Sequence, residues 1–498
     1  MVLITCFIRP KEVDHYFSHS VKAHQIDTFG HEVDCNNFNR NIAAQLPGAL
    51  GVKDMAKIKT GNGNSSLILC RTPKEVIEKG IPVITKGEGC YVFDDEGRPY
   101  LDLVAGVTRP VHVGYGRKDL AAAVMQQIVD LAYFTPMNFT NSRALELAEK
   151  LSHLTPEKIN SFLFVCDGSE AVESAMKLAK QHHWDKGEKQ RFKVISRRGA
   201  YHGVTSMALR ALGTVLPMRH YMEPLTPGSI FVESPYCYRC PLHLNYPDCE
   251  VACARDVRRI IEFEGPDQIS ALIGEPIQQG FGALAPPPEY WPIIRDICSD
   301  YGVLLIIDEV ICGFGRTGRW FGIEHFQVKP DIMTMAKGIS SGYVPLGAVG
   351  CTDEVIDPVD TLEHLHTYAN HPVACAAGLK NIEIIEKESL IERAAEIGDY
   401  FLETLKTLEE HPIVGEVRGR GLWLGIDFTT DKRTKEMFPM TRLSSLVQRA
   451  QHKGVLIKLM GQALELAPPL VITKDEIDKG VKILHECVAE EAKDMGLE

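Results

Sequence analysis

Between about residues 160 and 350, short apolar runs alternate with amphipathic stretches of helical period. The runs at 161–166, 193–196, 271–274, 303–307 and 331–335 read as strands. The stretches at 171–183, 253–264 and 293–301 read as helices between them. Near-continuous apolar strands alternating with helices predict an α/β fold, with a mostly parallel sheet covered on both faces. Upstream, Tyr91-Val-Phe93 and Tyr100–Val104 flank Asp94-Asp-Glu-Gly97, a turn signal between two strands. Residues 117–133 and 141–154 carry helical periodicity. Downstream, 372–410 reads as helical. A strand-like 421–428, a helix near 441–453, a strand-like 455–458 and a closing helix over 475–492 follow. That tail predicts a smaller α+β module. The first 60 residues are polar and irregular and read as an arm. The expected organisation is therefore an arm over 1–60 and a first piece of the small domain over 61–115. A large domain over 116–372 and the rest of the small domain over 373–498 complete it.

Composition narrows the class. The chain has 498 residues, 45% hydrophobic and 24% charged, a globular mixture. It excludes a mainly disordered chain and a disulfide-dense mini-protein. No run of about 18 apolar residues is present, so no membrane span or membrane partner is expected. The net charge of −12 argues against a nucleic-acid partner, because phosphates need a basic face. Fourteen cysteines without a compact secreted spacing read as free thiols of a reducing compartment. The N-terminus has no basic region ahead of its apolar residues, so no signal peptide is expected and the cytoplasm is the expected location.

Four stretches carry candidate chemistry. The apolar run Val303–Ile307 ends on Asp308-Glu309, and carboxyl ends of parallel strands form ligand crevices. Cys166-Asp-Gly-Ser-Glu-Ala-Val172 joins a strand to a helix, where free amides form a phosphate site. Lys337 ends another apolar strand ahead of glycine-rich text, and a lysine in a dry crevice can form a Schiff base. Arg198-Gly-Ala-Tyr-His-Gly203 sets the aromatic Tyr201 beside a glycine turn, a platform for a planar ring. Each stretch alone also fits an ordinary structural role. Together they are the parts a pyridoxal phosphate site requires. A competing signal is Gly313-Phe-Gly-Arg-Thr-Gly318, a literal G-x-G-x-x-G after a strand. A dinucleotide site would open a helix there; this chain continues Arg319-Trp-Phe-Gly-Ile, with little helix character.

With these stretches in hand, the chain resembles the class III (omega) aminotransferases, pyridoxal phosphate enzymes of fold type I. The resemblance runs from about Lys86 to the C-terminus. Its strings are Gly-Ser-Glu-Ala at 168–171, Tyr-His-Gly at 201–203, Glu-Pro-Ile-Gln at 275–278 and Asp-Glu-Val at 308–310. Ala-Lys-Gly at 336–338, Thr-Tyr-Ala-Asn-His-Pro at 367–372 and Ala-Pro-Pro-Leu at 467–470 complete the order. It implies an aspartate aminotransferase-like large domain built on a seven-stranded sheet. It implies Lys337 as the catalytic Schiff-base lysine and proton shuttle, with Asp308 on the pyridinium nitrogen. Tyr201 and Val310 would cover the two ring faces, Gly168 and Ser169 would hold phosphate, and His202 and Glu275 would belong to the cofactor site. Thr367 would reach the phosphate of a neighbouring subunit, which implies a homodimer or a dimer of dimers. The implied reaction is a ping-pong transfer from an ω-amino acid or amine to an oxo acid, pyruvate ahead of 2-oxoglutarate. An epimerase or aminomutase on the same fold is one alternative, and a nicotinamide dehydrogenase built on 313–318 is the other.

The sequence departs from that pattern in one place. Many members hold the substrate carboxylate with an arginine shortly before Pro-Pro-Leu, whereas this stretch carries Lys458 and Glu465 and no arginine. Lysine replaces the charge but not the bidentate fork. Arg109 stands where amine-type relatives carry an aromatic pocket residue. Arg109 or Lys458 is therefore the expected contact for a substrate anion. Cys237, Cys240, Cys249 and Cys253 also have ligand-like spacing, and two readings stay open: a zinc or iron–sulfur site, or a thiol-rich loop.

Overall fold

The computed structural model describes residues 25–26, 32–33, 57–59 and 66–497, save 73, 79, 157–158 and 215–216. The chain divides into two units at Pro82/Val83. In the first unit, Gln25–Ile26 pairs with Glu32–Val33 and Lys57–Lys59 with Ser66–Ile68, both antiparallel. The rest of the arm expected over 1–60 lies outside the described residues.

The second unit opens on the expected hairpin. Tyr91–Asp94 pairs antiparallel with Pro99–Asp102, and Ile84–Glu88 pairs on its other side. Asp94 makes the turn: its carboxylate accepts the amides of Glu96 and Arg98 at 3.1 and 2.8 Å. Asp102 accepts the amide of Val104 and the hydroxyl of Tyr115.

Among the described residues, a seven-stranded sheet forms the centre of this unit. Its spatial order is Ser229–Val232, Lys193–Arg197, Ile269–Gly274, Leu304–Asp308, Ile332–Met335, Gly347–Cys351 and Ser161–Val165. The first five run parallel to one another, and Gly347–Cys351 runs antiparallel to both of its neighbours. The apolar runs follow from two-sided burial. In the Leu304–Asp308 strand, Ile306 joins one core with Val172, Ala175 and Met176 of the helix Gly168–Asp185. Leu305 and Ile307 point the other way, into the core that holds Trp291, Ile294, Val257 and Ile261. Successive side chains alternate faces, so a strand covered on both sides is apolar at every position.

The C-terminal part supplies the helices Pro372–Lys387 and Leu390–Lys406 and an antiparallel sheet ordered Val414–Arg420, Trp423–Phe428, Ala463–Leu466, Lys458–Met460. The closing helix Lys474–Asp494 starts at a capping box in which Thr473 and Glu476 satisfy each other's amides. Among the described residues no helix is long and apolar enough to cross a membrane.

Candidate active site

Five strand ends of the large sheet converge on one cavity of about 380 Å³. Ser161–Val165 delivers Gly168 and Ser169, Lys193–Arg197 delivers Tyr201 and His202, and Ile269–Gly274 delivers Glu275. Leu304–Asp308 delivers Asp308 and Val310, and Ile332–Met335 delivers Lys337. These strands all point the same way, so the site is the crevice at their carboxyl ends.

Asp308 is buried and held by three donors. His202 Nδ1 lies 2.7 Å from Oδ2, while Thr334 Oγ1 donates to Oδ1 at 3.0 Å and the amide of Val310 at 3.1 Å. A carboxylate fixed this way presents its charge in one direction, into the cavity. Glu275 braces the neighbouring wall. It accepts the amide of Tyr201 at 3.1 Å and an Arg197 guanidinium nitrogen at 3.1 Å. Arg197 in turn stacks over Trp291, 5.0 Å from the ring centroid. His202 Nε2 is buried without a partner, 3.9 Å from Glu275 Oε2.

Lys337 opens a short 3-10 turn, Lys337–Ile339, with φ +47°, a left-handed conformation that costs a non-glycine residue energy. Burial pushes its ammonium down to about 7, and the Arg109 charge adds to the shift while Asp308 opposes it. Gly338 is obligatory behind it: a Cβ there would stand 2.3 Å from the ring of His112.

The helix Gly168–Asp185 begins at the cavity, with Asp167 as its cap accepting the Glu170 amide at 2.9 Å. The first amides of a helix have no partner within it and favour an anion. The cradle is tight. A Cβ on Gly168 would meet Val310 Cγ1 at 2.8 Å, and one on Gly203 would meet Ser169 Oγ at 2.7 Å.

Three expected residues stand apart from the cavity lining. Thr367 sits in an exposed turn, its carbonyl accepting the Tyr133 hydroxyl at 2.8 Å. Lys458 lies half-buried on the strand Lys458–Met460, paired in register with Glu465. Arg109 is 2% exposed and ion-paired with Glu465, whose other oxygen accepts the indole N–H of Trp423. The Arg109 guanidinium thus already holds a buried carboxylate. Its charge is still felt at Lys337.

The glycine motif at 313–318 folds as turns and opens no helix. Glu309 organises it, accepting the amides of Gly322 and Ile323 at 2.9 and 2.8 Å from a fully buried position. Burial raises its carboxyl to about 8. The strand end thus splits its two acids, Asp308 toward the cavity and Glu309 into the loop. Sequence reasoning also missed Thr334, Arg197 and Gln279. A threonine inside the apolar run Ile332–Met335 is the signal that could have found the first. Gln279 lines the cavity with its Oε1 buried and unpartnered.

Cys237, Cys240, Cys249 and Cys253 line one small cavity of their own. Among the described residues, no group of three or more His, Cys, Asp or Glu side chains is arranged to hold a metal.

The aminotransferase class-III family model matches residues 76–488. The chain is 41% identical over 417 residues to the aminotransferase YhxA of Bacillus subtilis, covering 81% of this chain and 91% of that protein. It is 39% identical over 418 residues to the taurine–pyruvate aminotransferase of Bilophila wadsworthia, covering 80% and 90%. Among solved structures, a thermostable (S)-enantioselective omega-transaminase from Thermomicrobium roseum superposes with a TM-score of 0.81 at 40% identity, covering 86% of this chain and 96% of that one. The chain belongs to the class-III aminotransferases, enzymes that use pyridoxal phosphate to transfer amino groups.

Proposed function

We propose that this aminotransferase moves an amino group from an ω-amino acid or amine to pyruvate, with the strand-end residues in the roles their positions suit. The observation that carries the reading is Lys337, buried and poised near neutrality, beside an Asp308 fixed by three donors. Bound pyridoxal phosphate supplies an electron sink for the carbanion left when the donor's Cα loses its proton. Asp308 keeps a proton on the cofactor's ring nitrogen, and His202 and Thr334 orient Asp308. Tyr201 and Val310, which both line the cavity, would hold the cofactor's ring. Gly168 and Ser169 hold the phosphate at the helix N-terminus, and Glu275 steadies Tyr201 through its backbone amide. Lys337 tethers the cofactor and carries the proton, a task its lowered pKa suits because the neutral amine is a base at physiological pH.

The acidic end of the substrate is assigned to the group formed by Arg109, Lys458 and Glu465. All three act electrostatically on Lys337, the two cations lowering its pKa and the carboxylate raising it. Pyruvate is favoured because the taurine–pyruvate relative of Bilophila wadsworthia matches 80% of this chain.

The working unit in this reading is a homodimer. Met125, Val129, Phe139 and Tyr368 are between 58% and 76% exposed, more apolar surface than scattered residues explain, and a second copy is the fitting cover. Tyr133 joins that patch to Thr367 through its hydroxyl, which suits Thr367 for the partner's phosphate. Residues 116–372 act as the cofactor-binding domain, and the free thiols suit the cytoplasm.

The test is a donor panel of taurine, β-alanine and diamines, each with pyruvate or 2-oxoglutarate, following alanine or glutamate. Alanine formation supports the assignment. Glutamate alone replaces the acceptor, and donor isomerisation without an acceptor moves the chain to the epimerase or aminomutase reading.

A further inference from the structure

Residues Cys237–Arg239 form a single 3-10 turn with Cys240 at its C-terminal cap. Side chains at i and i+3 of such a turn fall on the same side, about 6 Å apart along its axis. A disulfide requires Cα atoms about 4.4–6.8 Å apart and side chains on a common side. Both residues line the same small apolar cavity, as do Cys249 and Cys253. Both are free thiols. Cys237 also lines an open groove beside Glu416 and Arg418, and its exposure gives a small solute access.

The turn sits at a structural junction. Tyr236 and Arg239, which bracket Cys237, both bond to the buried carboxylate of Asp427 on the strand Trp423–Phe428. Tyr236 stacks on Phe281, with centroids 4.7 Å apart, two residues from Gln279 of the active cavity. A covalent bond in this turn therefore fixes the clamp between the large sheet and the C-terminal sheet.

We propose that Cys237 and Cys240 are a dithiol modification site, converted to a disulfide by peroxides and restored by thiols. One sulfur, as thiolate, attacks a peroxide oxygen. The O–O bond breaks, a sulfenic acid forms on that cysteine, and the other oxygen leaves as water after taking a proton. The second sulfur then displaces the sulfenic oxygen, which leaves as a second water, and the S–S bond forms. Two thiols lose two protons and two electrons, and one hydrogen peroxide becomes two waters. Only the thiolate reacts, so the reaction gains speed as pH rises from 7 to 9. The site is independent of the transfer chemistry and stands or falls separately from it.

The experiment treats the cofactor-loaded enzyme with hydrogen peroxide, alkylates the remaining thiols and digests with trypsin. Arg239 lies between the two cysteines, so cleavage there leaves a Cys237 peptide and a Cys240–Arg255 peptide. A Cys237–Cys240 bond joins them at two hydrogens below the summed mass, and dithiothreitol separates them. Two alkylatable thiols of the fourteen are lost in the process. Cys249→Ser and Cys253→Ser retain the linked pair, and Cys240→Ser loses it. The proposal is overturned if Cys237 is recovered alkylated or as sulfinic acid, or if the link survives Cys240→Ser. Stoichiometric zinc that blocks the oxidation in the unmodified protein also overturns it.

Discussion

His202 Nδ1 and Asp308 Oδ2 stand 2.7 Å apart with both side chains buried, so the site's central carboxylate is aimed by an imidazole 106 residues away in sequence. A hydrogen bond to a charged group is worth about 1.5–3 kcal/mol, which is about 10–150-fold in rate when it acts on the reacting geometry. His202→Ala should therefore cut kcat about 10–150-fold with little change in the KM for pyruvate. Asp308→Ala should cost far more, about 1,000-fold or beyond, because the charge itself is lost. Equal effects of the two substitutions, measured in steady-state assays with saturating cofactor, would contradict a positioning role for His202.

Lys337 makes a prediction about stability as well as activity. Its folded-state pKa of about 7 lies below the ordinary 10.5. Between those values the unfolded chain holds a proton that the folded chain does not, so cofactor-free protein gains stability as pH rises from 7 to 10.5. Below 7 the folded chain carries a buried cation and its full cost. Lys337→Met removes this dependence along with activity. Urea titrations of the cofactor-free proteins at pH 7 and 9.5 should show a gain in the parent that is smaller in the variant. Parallel pH profiles of the two would mean that Lys337 is not buried in solution as it is here.

How far the sequence could be read depended on whether the physics was local. The strand Leu304–Asp308 was legible because both of its faces are covered, which leaves an uninterrupted apolar run. The strand Gly347–Cys351 was not, because two of its five residues are glycine. The structure gives the reason: a Cβ on Gly350 would stand 2.7 Å from Phe162, and one on Gly347 would stand 2.3 Å from the carbonyl of Asp167. Close packing had removed the side chains that signal a strand. Arg109 shows the same limit for chemistry. Its charge is visible in the text, but the carboxylate that occupies it is 356 residues away. Glu309 is the counterpart, a second acid beside Asp308 whose amide partners, Gly322 and Ile323, become neighbours only through the folded loop.

The Arg109–Glu465 pair separates stability from substrate binding. Removing one partner of a buried ion pair leaves an uncompensated charge, a cost of about 3–5 kcal/mol. Arg109→Ala alone should lower the unfolding midpoint sharply, and Arg109→Met combined with Glu465→Met should recover much of it. Lys458→Met leaves the buried pair intact and tests the anion contact. It should raise the KM for pyruvate about 10-fold while kcat changes little. An unchanged KM in Lys458→Met would remove lysine from the substrate site and leave the anion to Arg109.

A shared active site is testable by mixing defective chains. Thr367→Ala weakens cofactor binding only if the threonine serves a phosphate, and in the proposed dimer that phosphate belongs to the partner. Lys337→Ala abolishes activity in its own cavity while leaving its Thr367 available to the neighbour. A mixed dimer then contains one cavity with an intact lysine from one chain and an intact threonine from the other. Co-expressing the two variants under different affinity tags and purifying the mixed dimer should restore parent-like cofactor affinity in half of the sites. Val129→Asp, which puts a charge on the exposed apolar face, should shift the protein toward monomer by sedimentation and lower activity with it. If the mixed dimer keeps the weak affinity of Thr367→Ala in every active site, Thr367 serves its own chain and the site is not shared.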